Sequence, residues 1–266
     1  MWAGGHLPRR THRGLGAALE VVWNGAHALT WPVQVPLRLL GSSGSALSLA
    51  DPAPDGEHPL VVPRQGAGDT EPDRPVVLVH GIGDNPSLFP AVRAELARRG
   101  HDHVVAVDYS PERDDVRAVA ADLGRHVEAL AGSRGVDVVA HSLGGLIARY
   151  YVQRLGGHEH VRTLATAGTP HHGTRTAHLL PTRLGRQLRP RSDLYAELDE
   201  PAPGVRTRFV CLASGIDHVI LPRTSSLLAH PDLPAEHTVL PDIGHMSLAI
   251  HPASVGLLAD AVADGA

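Results

Sequence analysis

From residue 75 to the C-terminus, short runs of β-branched and aliphatic residues alternate with longer stretches whose apolar positions recur at helical spacing. Short continuous apolar runs bounded by turn residues read as buried strands, and the 3.6-residue period reads as helix. The pattern predicts strands near 75–80, 103–108, 136–140, 161–167, 205–213 and 236–240. It predicts helices near 87–99, 113–131, 143–155, 190–199 and 251–262. Strands and helices in alternation imply right-handed crossovers. The expected architecture is therefore α/β, a mostly parallel twisted sheet with helices on both faces. No internal repeat is visible.

The first 74 residues follow a different pattern. Leu15, Leu19, Val22, Ala26 and Leu29 recur at helical spacing beside Trp23 and Trp31, until Pro32 stops the run. Residues 1–50 thus read as an apolar, slightly basic helical extension. Glu20, Asn24 and His27 argue against a transmembrane span, because a membrane core tolerates few such groups. Three readings stay open for the extension: a helix packed on the body, peripheral membrane contact through residues 1–40, or a cleaved signal. Residues 51–74 are rich in proline and acidic residues and read as a linker or arm. Residues 75–266 form the expected catalytic domain. Its longest connection, 168–204, carries five arginines among leucines and is a candidate lid over the site.

Composition narrows the function classes. A net charge of −4 argues against general nucleic-acid binding. All 24 basic residues are arginine, so arginine by itself marks no site. The single cysteine, Cys211, falls inside a predicted strand and excludes an intrachain disulfide. Such a chain suits the cytoplasm or a membrane surface, with secretion left open. His101-Asp102-His103 and His158-Glu159-His160 have metal-binding residue types, but residues two apart on a loop rarely suffice. No metal and no organic cofactor is expected.

The chemistry concentrates in Ala140-His141-Ser142-Leu143-Gly144-Gly145, between a strand and a helix. A serine on a sharp strand-to-helix turn, with small residues two positions either side, has the form of a nucleophile elbow. Ala140 stands where the first glycine is usual, which keeps the small size. Upstream, Val79-His80-Gly81-Ile82-Gly83 ends a strand in His-Gly, a junction that supplies one backbone donor to an oxyanion hole. Ile82 and Leu143 are the expected donors. With nucleophile, acid and histidine in that chain order, His245 in Ile243-Gly244-His245-Met246 is the expected base. Asp217, on the turn after the strand predicted at 205–213, is the expected acid. Asp242 is its rival on the histidine's own loop, and Asp193 and Asp199 read as solvated. His80, Gly81, His141, His172 and Met246 are candidates for the substrate cleft, with His171 beside them in the cleft wall.

These motifs together resemble the small bacterial lipases and esterases of the α/β-hydrolase superfamily. The segment Gly168 to Gly173 is similar to actinobacterial members and, more distantly, to lipases related to inositol deacylases. The resemblance covers roughly residues 75 to 262. It implies a serine hydrolase acting on an acyl ester or lipid through a Ser142-Asp217-His245 triad, with no cofactor. Two alternatives remain: an acyltransferase using the same residues, and a catalytically silent binding module on the same fold.

Overall fold

Every residue of the strand Val76–Val79 (β2) is buried, as is every residue of Val136–His141 (β4). A strand can be apolar on both faces only if both faces are covered, the condition met in parallel sheets with crossover helices. The computed structural model of the chain describes residues 74–109 and 115–263, and residues 47–49 through their backbone. The extension read for residues 1–50 and the arm read for 51–74 lie outside the described residues, apart from residues 47–49 and 74.

Among the described residues the sheet holds seven strands, in the order β1-β3-β2-β4-β5-β6-β7. The remaining strands are Leu47–Leu49 (β1), Val104–Tyr109 (β3), Val161–Ala167 (β5), Arg208–Ser214 (β6) and Ala235–Leu240 (β7). Strands β2 to β7 are parallel, as the alternation predicts. β1 pairs antiparallel with β3 and closes one edge. The helices are Pro90–Arg98 (α1), Val116–Ala131 (α2), Leu143–Arg154 (α3), Arg183–Gln187 (α4), Asp193–Leu198 (α5) and Pro252–Ala263 (α6).

The pleat divides the core in two. Val77 and Val79 of β2 join Val138 and Ala140 of β4 under α2 and α3. Val76 and Leu78 point the other way, with Val139, against α1 and α6. Side chains alternating across a strand produce this division. Helix α2 starts where Asp115 accepts from the Arg117 and Ala118 amides, an N-cap. In the 168–204 connection, Leu184, Leu188, Leu194 and Leu198 are buried in the core rather than presented outward, whereas Leu179 is 82% exposed.

The strand order sets the site. From β2 the chain goes to β3 on one side and then crosses to β4 on the other. Beyond the carboxyl ends of two such strands no connection blocks the space, and open α/β sheets place their sites there. His80-Gly81-Ile82 leaves β2 at that point, and Ser142 leaves β4.

Candidate active site

Ser142 joins β4 to α3 with φ 52° and ψ −120°, torsions that L-residues rarely adopt. Strain of this kind persists only where the surroundings hold it. Here the Ser142 N–H donates to the Ala167 carbonyl at 2.8 Å, and the Thr169 hydroxyl donates to the Ser142 carbonyl at 3.0 Å. The small residues around the serine have a measurable reason. A Cβ on Gly144 would lie 2.4 Å from the carbonyl oxygens of both Val79 and His80. The turn can therefore pass β2 only with glycine there. Ala140 is buried in the core beside Val79.

Ser142 Oγ stands 3.1 Å from His245 Nε2. His245 Nδ1 stands 2.9 Å from Asp217 Oδ2. All three side chains are nearly closed to solvent, at 5%, 2% and 1% exposure. Asp217 lies on the turn after β6, and its second oxygen accepts from the amides of Val219 at 2.7 Å and Ile220 at 2.8 Å. Arg223 Nε holds the Asp217 carbonyl at 2.9 Å. Burial alone would raise the carboxyl's pKa. The hydrogen bond and charge of His245, with the two amides, outweigh it and hold the pKa below the usual carboxylate value. The site thus keeps a carboxylate facing Nδ1, so that Nδ1 carries the proton and Nε2 is free to accept one from Ser142. Gly168, at φ 63°, packs beneath the ring: a Cβ there would be 2.9 Å from His245 Nδ1.

The loop after β2 closes the site from the other side. A Cβ on Gly81 would lie 3.1 Å from the Ser142 Cβ, and Gly83 adopts φ 73°. Leu143 opens α3, so its N–H is one of the first-turn amides without an intrahelical acceptor. Ile82 is half-buried at the neighbouring loop. His80 is fully buried, stacked on Tyr109 with 4.4 Å between ring centroids. Its Nδ1 meets the Gly81 carbonyl at 2.9 Å and its Nε2 meets Asp108 at 3.3 Å.

His141 is likewise buried. Its Nε2 donates to the His245 carbonyl at 3.1 Å, so Nδ1 is the bare nitrogen, 3.9 Å from an Asp84 oxygen. Burial, reinforced by His245 nearby, lowers its pKa to about 4, which keeps the ring neutral. His80 and His141 are thus both closed to solvent, each with a ring nitrogen against a backbone carbonyl of the site. Met246 follows His245 and is half-buried. His172 is half-buried, its Nε2 accepting from the Ala229 amide at 3.2 Å. Its neighbour His171 is fully buried against Thr166 and Cys211. Asp193 and Asp199 are exposed, as their solvated reading requires.

Three supporting residues escaped the sequence reading. Thr169 and Arg223 act on backbone carbonyls of the site, which no local pattern announces. Arg149 is fully buried on α3 and donates to the His171 carbonyl at 2.7 Å and the Leu198 carbonyl at 3.1 Å. It fastens the helix that follows Ser142 to the turn after β5 and to the end of α5. Burial lowers its pKa to about 10. Only its i+4 partner Gln153, at 3.0 Å, was legible as a pair along the helix.

A strained serine between strand and helix, beside the switch point of a parallel sheet, stands on an α/β fold that the chain shares with solved lipases. The family model described as palmitoyl protein thioesterase matches residues 75–198, a span that runs from β2 to the end of α5. Among solved structures, the chain is similar to lipase B of Aspergillus fumigatus, with a TM-score of 0.60 and 17% identity over 71% of this chain. It spans 52%, about half, of that lipase. The mature lipase of Bacillus licheniformis has a TM-score of 0.57 and 18% identity, covering 81% of this chain and 99% of its own. The monoacylglycerol lipase of Paleococcus ferrophilus has a TM-score of 0.51 and 16% identity, covering 70% of this chain and 96% of its own. The fold is the one that lipases and esterases use.

Proposed function

We propose that the protein is a serine hydrolase that cleaves acyl esters through a covalent acyl-enzyme. The observation that carries this reading is the buried chain from Ser142 Oγ through His245 to Asp217, with contacts of 3.1 and 2.9 Å. In the proposed reaction Ser142 Oγ bonds to the acyl carbon while its proton passes to His245 Nε2. Asp217 holds the imidazolium and its tautomer. The carbonyl oxygen becomes an oxyanion that accepts from the Ile82 and Leu143 amides, each worth roughly 3–4 kcal/mol of barrier. His245 then returns the proton to the departing oxygen or sulfur, breaking the bond to the acyl carbon. Water repeats the sequence on the acyl-enzyme, with His245 again as base.

The match to a thioesterase family over residues 75–198 favours thioesters as a second substrate class beside oxygen esters. A thiol has a pKa of about 8.5, so it leaves with less help from a proton donor than an alkoxide needs. A fluorophosphonate probe should label Ser142 and no other residue, and Ser142→Ala should abolish labelling with the fold intact. Rates on p-nitrophenyl esters of increasing chain length, set beside S-acyl substrates of equal length, then rank the two classes. Labelling at a different serine removes the proposal.

A further inference from the structure

Each amide proposed to hold the oxyanion belongs to a peptide unit that also contains a carbonyl. The two carbonyls are those of Gly81 and Ser142. A peptide is planar and trans, so its C=O and N–H point in opposite directions, and whatever holds the carbonyl aims the N–H. For Ser142 that holding matters more than usual, because φ 52° and ψ −120° lie outside its own torsional minima. Its carbonyl accepts from the Gly145 amide at 3.1 Å. It also accepts a hydroxyl from across the sheet, Thr169 Oγ1 at 3.0 Å. Thr169 is fully buried at 0% exposure, on the turn after β5.

A second observation points to the same contact. Gly145 lies in the first turn of α3, where glycine weakens a helix relative to alanine. A Cβ there would stand 1.9 Å from Thr169 Oγ1 and 3.0 Å from the Thr169 Cβ and Cγ2. The second glycine of the Gly144-Gly145 pair thus gives up helix stability and admits the threonine to the serine carbonyl.

We propose that Thr169 is a positioning residue for the hydrolytic reaction. Its hydroxyl fixes the Ser142–Leu143 peptide so that the Leu143 N–H faces the developing oxyanion. It also polarises that peptide: a donor on the carbonyl strengthens the N–H of the same unit, as hydrogen bonds in a chain reinforce one another. The inference rests on reading Ser142 as nucleophile and Leu143 as oxyanion donor.

Thr169→Val removes the hydroxyl and keeps the shape, whereas Thr169→Ser keeps the hydroxyl. The valine variant should lose about tenfold in kcat at unchanged KM, less than the hundredfold or more expected when an oxyanion donor itself is removed. The serine variant should recover most of that loss. A trifluoromethyl ketone, whose adduct places an oxyanion in the hole, should bind the valine variant more weakly by the same factor. An amide analogue of the substrate should bind both alike. Gly145→Ala, which pushes the hydroxyl away, should reproduce the kcat loss, and it supplies the test if the valine variant fails to fold. Wild-type kcat in either variant, a loss confined to KM, or no recovery with serine would overturn the role of Thr169. Fluorophosphonate labelling of Ser142 in the wild type separates the two levels. If that labelling is absent, the underlying hydrolase reading fails; if it is present with kcat unchanged in Thr169→Val, only the Thr169 role fails.

Discussion

Asp217→Asn is the sharpest perturbation, because the structure dictates how the asparagine must sit. One Asp217 oxygen accepts from the Val219 amide at 2.7 Å and the Ile220 amide at 2.8 Å. Asparagine keeps those bonds only by placing its oxygen there. Turning the amide over would set its NH2 against two donors, leaving buried groups unpaired at about 1–3 kcal/mol each. The NH2 must therefore face His245 Nδ1, where the carboxylate now stands at 2.9 Å. Two donors cannot face each other, so Nδ1 gives up its proton and Nε2 takes one. The nitrogen nearest Ser142 is then unable to act as base. The expected loss is about 10⁴-fold in kcat, or roughly 5 kcal/mol of barrier. Stability should fall only modestly, because the two amide hydrogen bonds to Val219 and Ile220 are kept. Asp242→Asn serves as the control and should stay within about a few-fold of wild type. Steady-state hydrolysis of a p-nitrophenyl ester, with the thermal midpoint measured in parallel, checks both variants. The reasoning is refuted if Asp217→Asn keeps a tenth of wild-type kcat, or if Asp242→Asn is the worse of the two.

Gly144→Ala places a methyl 2.4 Å from two backbone oxygens that cannot move without breaking β2. It should destabilise by more than about 3 kcal/mol despite the helix propensity of alanine, as a chemical denaturation midpoint would show. His141 should make the fold acid-labile in a defined window. Unfolded it titrates near 6.5, whereas folded it titrates at about 4. As pH falls from 6.5 towards 4 the unfolded chain takes a proton that the folded state refuses, and roughly 3 kcal/mol of stability is lost, with no further loss below 4. His141→Gln should flatten the thermal midpoint across that range. An unchanged slope would place the acid lability elsewhere. Asp217 acts in a lower window: its contribution is complete above 3.8 and disappears as pH falls through its depressed folded value.

Much of this was legible along the chain because it is local. Most of the parallel strands carry an apolar run of the right length, although β7 (Ala235–Leu240) is apolar mainly at its end, Val239-Leu240. The strand-turn-helix around Ser142 announces itself through small residues that steric closeness demands. The order serine, aspartate, histidine is what the resemblance carried by the elbow motif implies. The antiparallel strand Leu47–Leu49 was not legible, since three residues at a sheet edge hold too little periodicity to separate from the helical reading of 1–50. The burial of His80 and His141, each with a ring nitrogen against a backbone carbonyl, was not legible either, because a histidine beside a motif looks the same in sequence whether its ring faces a cavity or a carbonyl.

By itself, then, the amino-acid sequence determined the alternation of elements, the sharp turn at Ser142 and the residue types that could form a proton-relay chain. Each depends on neighbours within a few positions. Only the tertiary structure decided which groups meet: Asp217 rather than Asp242 at His245, Thr169 at the Ser142 carbonyl, and Arg149 between α3 and the two segments beyond it. Those contacts join atoms 22 to 49 residues apart. At that separation partners are selected by strand order, register and the space a missing Cβ leaves, which exist only once the sheet has formed.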